Sequence, residues 1–449
     1  MNAVIARYEA ISELRINALH PCDCFVPRND VWTKCFIITS LLLLIVGAKS
    51  FAQSPYDNSV YLPEIKSVEF YNAEKPASFP IIALNSKDKV LLAFDDLHGG
   101  SRDFSYTIEH CDANWNSSNL APAEYLQNFT DDKITNFSYS TATVQKYTHY
   151  ELKLPNENIA PKIAGNYILK VYEDGDQSKL VLTRRLYVIS SKIIINAEIV
   201  PSINSRQTNQ KINFTLNYGG LRVQNPAGEI RTLILQNGIS ETGQLNTEPT
   251  NINGTQLVFD DVNANDFPGG NEFRHFDTRS LKLNSDRVLR IKRDSSSIVM
   301  LTDPDRNQPN YTFQYDLNGG FYILNQDGTD PRIDADYMHM VFSFTTESPR
   351  NRGTPYIAGQ FNCYKLDDDS KMHFDERSGK YLINLFLKQG VYDYQYVWVD
   401  KNTGKADYNA LEGSHFETEN VYQLLVYYRP AGARWEELVG YKLLNTTKK

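Results

Sequence analysis

The residues able to do chemistry are sparse in this chain, which limits the reactions it could support. Seven histidines follow residue 52, and none stands in a His-Glu-x-x-His spacing or another zinc-binding pattern. Only Cys111 and Cys363 follow the same point. Structural zinc sites need four such donors together, so we predict no metal ion and no other cofactor.

One adjacent pair, His110 and Cys111, carries the residue types of a base and a nucleophile. The surrounding segment reads as an extended strand, in which neighbouring side chains point to opposite faces. Strand packing is therefore the favoured interpretation. The Gly-x-Ser-x-Gly elbow, the Walker loop and the dinucleotide fingerprint are missing from the sequence. We predict that the chain is not an enzyme, although a Ser/His/Asp triad has no fixed spacing by which a sequence reveals it.

Two aspartate-rich segments carry oxygen atoms of the kind that bind Ca²⁺. They are Asp327 to Asp336 and Asp367 to Asp369, and neither has the spacing of an EF-hand loop. Solvated turns between strands are the favoured interpretation.

The formal net charge of −8 repels a phosphate backbone, so nucleic acid is not an expected partner. No motif indicates a small-molecule substrate.

The amino-terminal segment carries an export signal. Phe36 to Ala48 is an apolar run of about 13 residues, which is shorter than the roughly 20 that span a bilayer. Ser50-Phe51-Ala52 then supplies a small-x-small cleavage sequence, so we predict a signal peptide over residues 1–52 that is cut between Ala52 and Gln53. Residues 1–30 have no role in such a signal, and we interpret them as an overcalled gene start, the true start lying near Val31.

Short alternating runs between turn residues predict an all-β fold. Leu152 and Leu154 alternate with charged residues, and Asn166–Tyr172 and Leu180–Ile189 flank the turn Glu173–Asp176 as in a hairpin. Three consecutive immunoglobulin-like β-sandwich domains are expected after the signal peptide: residues 54–190, 191–348 and 349–449. In the last domain, Lys388-Gln-Gly390 is predicted to join Tyr381–Leu387 and Val391–Val399 as a hairpin whose second strand is central.

The last domain also resembles glycogen-binding modules of the early-set immunoglobulin class. The resemblance lies in Gly359-Gln-Phe-Asn362 and in Gly390-Val-Tyr-Asp-Tyr-Gln-Tyr396. Those modules place a sugar-stacking Trp after the first element, whereas this chain has Cys363-Tyr364. The likeness therefore indicates the fold, and a glycan-binding β-sandwich protein of the cell surface or periplasm is kept as the alternative function.

A more specific resemblance covers Val68 to Leu444 as a series of short motifs. The chain resembles the plug protein family of the type IX secretion system in Bacteroidota through Tyr106-x-Ile-Glu-His-Cys-Asp-Ala-x-Trp115, Tyr147-Thr-His-Tyr150, Ala164-Gly-Asn-Tyr167, Phe267-Pro-Gly-Gly-Asn-Glu-Phe-Arg274, Leu387-Lys-Gln-Gly390 and Gly413-Ser-His-Phe-Glu-Thr-Glu-Asn420. The resemblance implies a periplasmic protein, peripheral to the inner face of the outer membrane. It would dock on the translocon barrel and close the periplasmic opening of that barrel by occupying space.

The resemblance does not say which side chains touch the barrel. Aromatic and Arg residues are the usual anchors of interfaces, and the segment Phe267 to Asp277 combines them with two glycines as in an exposed loop. We therefore predict partner contacts by five side chains, with intramolecular packing as the alternative for each: Trp115, Phe267, Phe273, Arg274 and Phe276.

Overall fold

Nearly all regular structure is β-strand in the computed structural model, which describes residues 55–446. The predicted all-β class is confirmed. The predicted cleavage point between Ala52 and Gln53 lies outside the described residues. The described helices are single turns, at Pro122–Tyr125, Pro226–Glu229, Pro331–Asp334, Arg293–Ser295 and Gln360–Asn362. No helix in this part of the chain is long and apolar enough to cross a bilayer.

The first sandwich is built from two sheets that close over an aromatic core. Its strands are β1 (Ser59–Val60), β2 (Ile65–Asn72), β3 (Ile81–Ala83), β4 (Val90–Asp96), β5 (Phe104–Cys111), β6 (Leu126–Asn128), β7 (Asp132–Lys133), β8 (Asn136–Tyr139), β9 (Thr148–Leu154), β10 (Ile159–Pro161), β11 (Gly165–Glu173) and β12 (Leu180–Ile189). One sheet has the order β1-β12-β11-β5-β7 and the other β2-β4-β9-β8. The predicted hairpin is present as the antiparallel pair β11–β12, and Leu152 and Leu154 point into the core while Lys153 is exposed.

The chain then starts a second sandwich and leaves it unfinished. This half comprises β13 (Ile194–Pro201), β14 (Asn209–Asn217), β15 (Ile230–Gln236), β16 (Ile239–Asn246), β17 (Asn251–Asn253), β18 (Gln256–Phe259) and β19 (Asp266–Pro268). One sheet is formed by β13, β14, β17, β18 and β19. Strand β15 pairs with β16, and its other edge is not paired by any strand of this half.

A third sandwich follows before the second is closed. Its strands are β20 (Arg274–Asp277), β21 (Val288–Lys292), β22 (Ser297–Met300), β23 (Asp303–Pro304), β24 (Phe321–Ile323), β25 (Tyr337–Thr345), β26 (Gly353–Ala358), β27 (His373–Asp375), β28 (Lys380–Lys388), β29 (Gly390–Asp400) and β30 (Ala406–Asp407). The long strand β29 is central, as predicted, and pairs with β20, β24, β26 and β30. Strand β28 lies in the facing sheet beside β25. The predicted hairpin between β28 and β29 is therefore wrong, because the turn at Gln389 carries the chain from one sheet to the other.

The last two strands return to the second sandwich. They are β31 (Val421–Tyr428) and β32 (Glu437–Asn445), and β31 pairs antiparallel with β15 to complete the sheet β16-β15-β31-β32. The strand pairing thus departs from the predicted boundary at 348/349, which separates the paired strands β25 and β28. Sequence order alone did not reveal that the third sandwich is inserted into the second.

The first two sandwiches share an apolar interface. The outer face of β11 and β12 packs on the outer face of β15, β31 and β32 through Ile168, Tyr187, Leu235, Leu425 and Leu438. Tyr427 is fully buried there, and its hydroxyl donates to Asn166 Oδ1 at 3.0 Å. Burying each large apolar side chain contributes about 2 kcal/mol, so this shared cluster couples the two sandwiches strongly.

Candidate partner-binding site

The predicted contact segment 267–277 is not an exposed loop. It contains β19 and β20, and the side chains that were expected at the surface face inward. Phe267 is 2% exposed and lies 5.2 Å from the ring of Tyr422. Phe273 is 6% exposed and packs near Tyr364. Phe276 is fully buried and stacked on Tyr392 at 5.1 Å.

Arg274 is also buried, in an ionic cluster inside the third sandwich. Its Nε donates to Glu412 Oε1 at 2.9 Å, and its Nη1 lies 3.3 Å from Asp303. Glu412 Oε2 also lies 2.9 Å from Nε of a second guanidinium, that of Arg306. Burial opposes the charge of Glu412, yet the two guanidinium groups hold the pKa of this carboxyl at about 2. All ionic contacts of Arg274 are therefore within the chain.

Trp115, the fifth predicted contact, closes the junction of the first two sandwiches. It is 8% exposed, its ring meets Tyr187 edge-on at 5.3 Å, and the Arg185 guanidinium lies 4.5 Å above it. Each of the five side chains packs inside the chain, which is the alternative interpretation, and their contact with a partner stays a prediction. Aromatic and Arg residues anchor cores as well as interfaces, so their types alone could not separate the two roles.

The two remaining chemical candidates are inert where they lie. His110 is bonded to Ser118 and lies 3.3 Å from the carbonyl oxygen of Ala164, and burial lowers the pKa of the imidazole to about 4. Burial raises the pKa of the Cys111 thiol to about 12, which keeps it protonated and unreactive. Tyr364, at the sugar-stacking position of glycogen-binding modules, is buried and donates to the Gly319 carbonyl.

Residues 55–446 contain no group of three or more His, Cys, Asp or Glu side chains placed to hold a metal ion. The aspartates of the segment 327–336 instead bind backbone N–H groups. Asp334 accepts from Asp330 N, and Asp336 accepts from Val144 N and Gln145 N. These carboxylates fix turns, in keeping with the favoured interpretation.

A cavity lies where the three sandwiches meet, and we call it the three-way cleft. It has a volume of about 630 Å³. The first sandwich contributes β2, β3, β12 and the segment 72–80, the second contributes residues 237–241 with parts of β31 and β32, and the third contributes residues 317–321 and 360–364. Sequence reasoning missed this site, because its residues come from distant segments that carry no shared motif.

Aromatic rings form much of one wall of the three-way cleft. Phe79 lies 4.5 Å from Tyr187 and stacks 6.1 Å from Tyr441, while Tyr71 continues the surface along β2. Gly238 faces this wall, and a Cβ at that position would lie 3.5 Å from the Phe79 ring. Large flat rings around a partly open cavity are typical of sites that bind organic groups or polypeptide.

The guanidinium groups beside the cleft are already engaged. Arg184 donates to the carbonyl oxygens of Ser59 and Thr183 at 3.0 and 2.8 Å. Arg185 donates to the Tyr56 carbonyl and to Ser240 Oγ, and it lies 3.5 Å from Asp57. Arg185 therefore links the first sandwich to the second beside the cleft, whereas Arg184 bonds within the first.

Two carboxylates of the cleft lack such partners. The side chain of Glu69, on β2, forms no ion pair or hydrogen bond within the described residues, although the charges of His149 and Lys388 act on it, and the side chain of Glu241, on β16, reaches only its own backbone N–H. Glu241 is exposed and Glu69 is half-buried, and loss of solvent raises the pKa of the Glu69 carboxyl to about 7. Desolvation disfavours the charged form, so the Glu69 carboxylate would be stabilised by an added cation.

Glu69 also lines a smaller cavity of about 200 Å³ on the seam between the first and third sandwiches. There Lys388 Nζ lies 2.6 Å from Asp95 Oδ2, both side chains being 1% exposed. Tyr337 donates to the same oxygen at 2.7 Å, and His149 Nδ1 lies 2.7 Å from Asp95 Oδ1. This ionic seam joins β4 and β9 to β25 and β28.

Known proteins resemble this chain at two levels. Residues 65–190 match the family described as type 9 secretion system plug protein first domain. A hypothetical protein from Parabacteroides merdae has a crystal structure that matches with a TM-score of 0.83 and 28% identity, covering 88% of this chain and 100% of that one. No curated protein matches the chain. The predicted family resemblance is confirmed, and it associates the chain with type IX secretion.

Proposed function

Residues 65–190 of this chain belong to the first-domain family of type 9 secretion system plug proteins, and from this premise we propose that the chain is a periplasmic plug without catalytic activity. It docks on the periplasmic opening of the outer-membrane translocon barrel and closes that opening by occupying space. The family match over the first sandwich is the observation that carries the proposal.

The coupling of the three sandwiches supports a steric role. A plug must not change shape when material presses on it. Here the first sandwich is joined to the second by an apolar cluster and to the third by the buried Asp95–Lys388 pair. Separating the first two sandwiches would expose this apolar cluster to water, which is unfavourable. The protonated Cys111 and the neutral His110 are also consistent with a protein that does no covalent chemistry.

The proposal is tested in the native bacterium with the full-length gene tagged at its chromosomal locus. Detergent extraction and pull-down should recover an outer-membrane barrel of the secretion system as the largest companion. Deleting the gene should raise the uptake of a large hydrophilic dye into the periplasm, because the opening is then uncovered. Dye uptake equal to that of the parent strain, together with pull-downs that contain no barrel, would refute the plug function.

A further inference from the structure

We propose that the three-way cleft is the site where the plug receives its partner, and that the occupant is a segment of the translocon bearing lysine or arginine side chains. This inference rests on the proposed function. It names the chemistry of one docking site, which neither the family match nor the structural likeness specifies.

The charge state of the cleft selects a cation. Arg184 and Arg185 are bound by oxygens of the chain itself, and the rim residues Glu74 and Lys75 carry opposite charges. Glu69 and Glu241 remain without an ion-pair partner. The unpaired charge of the cleft is therefore negative, and a ligand that brings positive charge forms a charge-assisted hydrogen bond with each of these carboxylates.

The aromatic wall and the volume indicate a polypeptide segment as the source of the cation. Tyr71, Phe79 and Tyr441 line the cleft, and cations bind the faces of aromatic rings. The cavity of about 630 Å³ exceeds the size of one side chain and is within the range of sites that bury extended ligands. Glu69 comes from the first sandwich and Glu241 from the second, so one basic segment can bridge both.

The test in solution uses the purified mature chain and a fluorescein-labelled, capped peptide of alternating glycine and arginine. A peptide of glycine and glutamine with the same length is the neutral arm. The double variant Glu69→Gln, Glu241→Gln removes both carboxylates without removing volume. Glu157→Gln, Glu248→Gln is the matched control, because both of its residues are exposed, lie outside the cleft and change the net charge equally.

We expect saturable binding of the arginine peptide and none of the glutamine peptide, measured by fluorescence anisotropy. Removing each carboxylate should weaken binding by about tenfold, so the cleft variant should bind about 100-fold more weakly while the control variant binds like the native chain. Equal weakening in both double variants would show only a general charge effect and would overturn the inference, as would a native chain that does not bind the arginine peptide. Thermal unfolding confirms the fold, which neutral glutamines at unpaired sites should preserve.

The pull-down described above then separates the two proposals. Recovery of the barrel with the native chain and the control variant, but not with the cleft variant, supports the inference. Recovery of the barrel with all three chains overturns the cleft as a docking site and leaves the plug function standing. Failure of the native chain itself to recover any barrel would count against the plug function, whatever the peptide does.

Discussion

Arg274 shows at the residue scale that the type of a side chain does not reveal whether it lies at an interface or in a core. An arginine between aromatic residues suits an interface, and here the same side chain lies between Glu412 and Asp303 inside a sandwich. The sequence identified a residue of consequence but not its partners, because both acids lie far along the chain. The three-way cleft was invisible for the same reason, since Glu69 and Glu241 are 172 positions apart in the sequence.

Replacing Arg274 should therefore cost stability and leave no specific docking defect. Arg274→Met leaves the buried Asp303 and Glu412 short of a counter-charge and should lower the free energy of unfolding by about 3 kcal/mol. Arg332→Met is the matched control, because Arg332 is 57% exposed in its pairs with Asp330 and Glu151, and it should cost less than about 1 kcal/mol. Urea unfolding measures both, and equal losses would contradict this assignment.

At the scale of elements, local patterns predicted strands well and their pairing poorly. The alternation in β9 and the turn between β11 and β12 lie within a few residues, so the sequence revealed both. The pairing of β31 with β15 joins segments about 190 residues apart, and no local signal reports it. The turn at Gln389 resembles a hairpin turn, yet it joins two sheets, because β28 and β29 each find another partner.

Strand β8 is an unprotected edge of the first sandwich. Its four residues are exposed, Phe137 and Tyr139 lie on one face, and no charged residue or proline blunts the strand. Tyr139→Lys should lower self-association at high protein concentration, measured by light scattering, because an edge lysine opposes strand pairing. The free energy of unfolding should change by less than about 0.5 kcal/mol, as Tyr139 is 54% exposed. Unchanged scattering would contradict pairing through this edge.

The ionic seam contributes to the pH response of the molecule. Burial opposes the charge of His149, but its hydrogen bond to Asp95 and the Glu151 carboxylate 3.6 Å away raise the imidazole pKa above its usual value. Burial raises the pKa of Glu69 to about 7. Both folded-state pKa values exceed the unfolded ones, so the folded protein binds more protons between pH 5 and 8. The seam is therefore strongest in mild acid and weakens as the pH rises through 7.

We expect the free energy of unfolding to fall by about 2 kcal/mol from pH 5.5 to pH 8 through these two groups. The double variant Glu69→Gln, His149→Gln removes both titrations and should show a flatter pH profile than the native chain. Arg332 keeps its charge over this range, so it does not contribute to the difference. Parallel profiles for the native and variant chains would contradict a role of the seam in this response.

The insertion of the third sandwich also bears on the order of folding. The segments that enter and leave it, after β19 and before β31, are joined where His415 N donates to the Gly270 carbonyl at 2.9 Å. Once the inserted body has formed, the chain ends that must meet in the second sandwich are already neighbours, and the entropy of closing that long loop is no longer a barrier. A substitution that disrupts the Arg274–Glu412 cluster of the third sandwich would thus delay closure of the second sandwich, although the cluster shares no core residue with it.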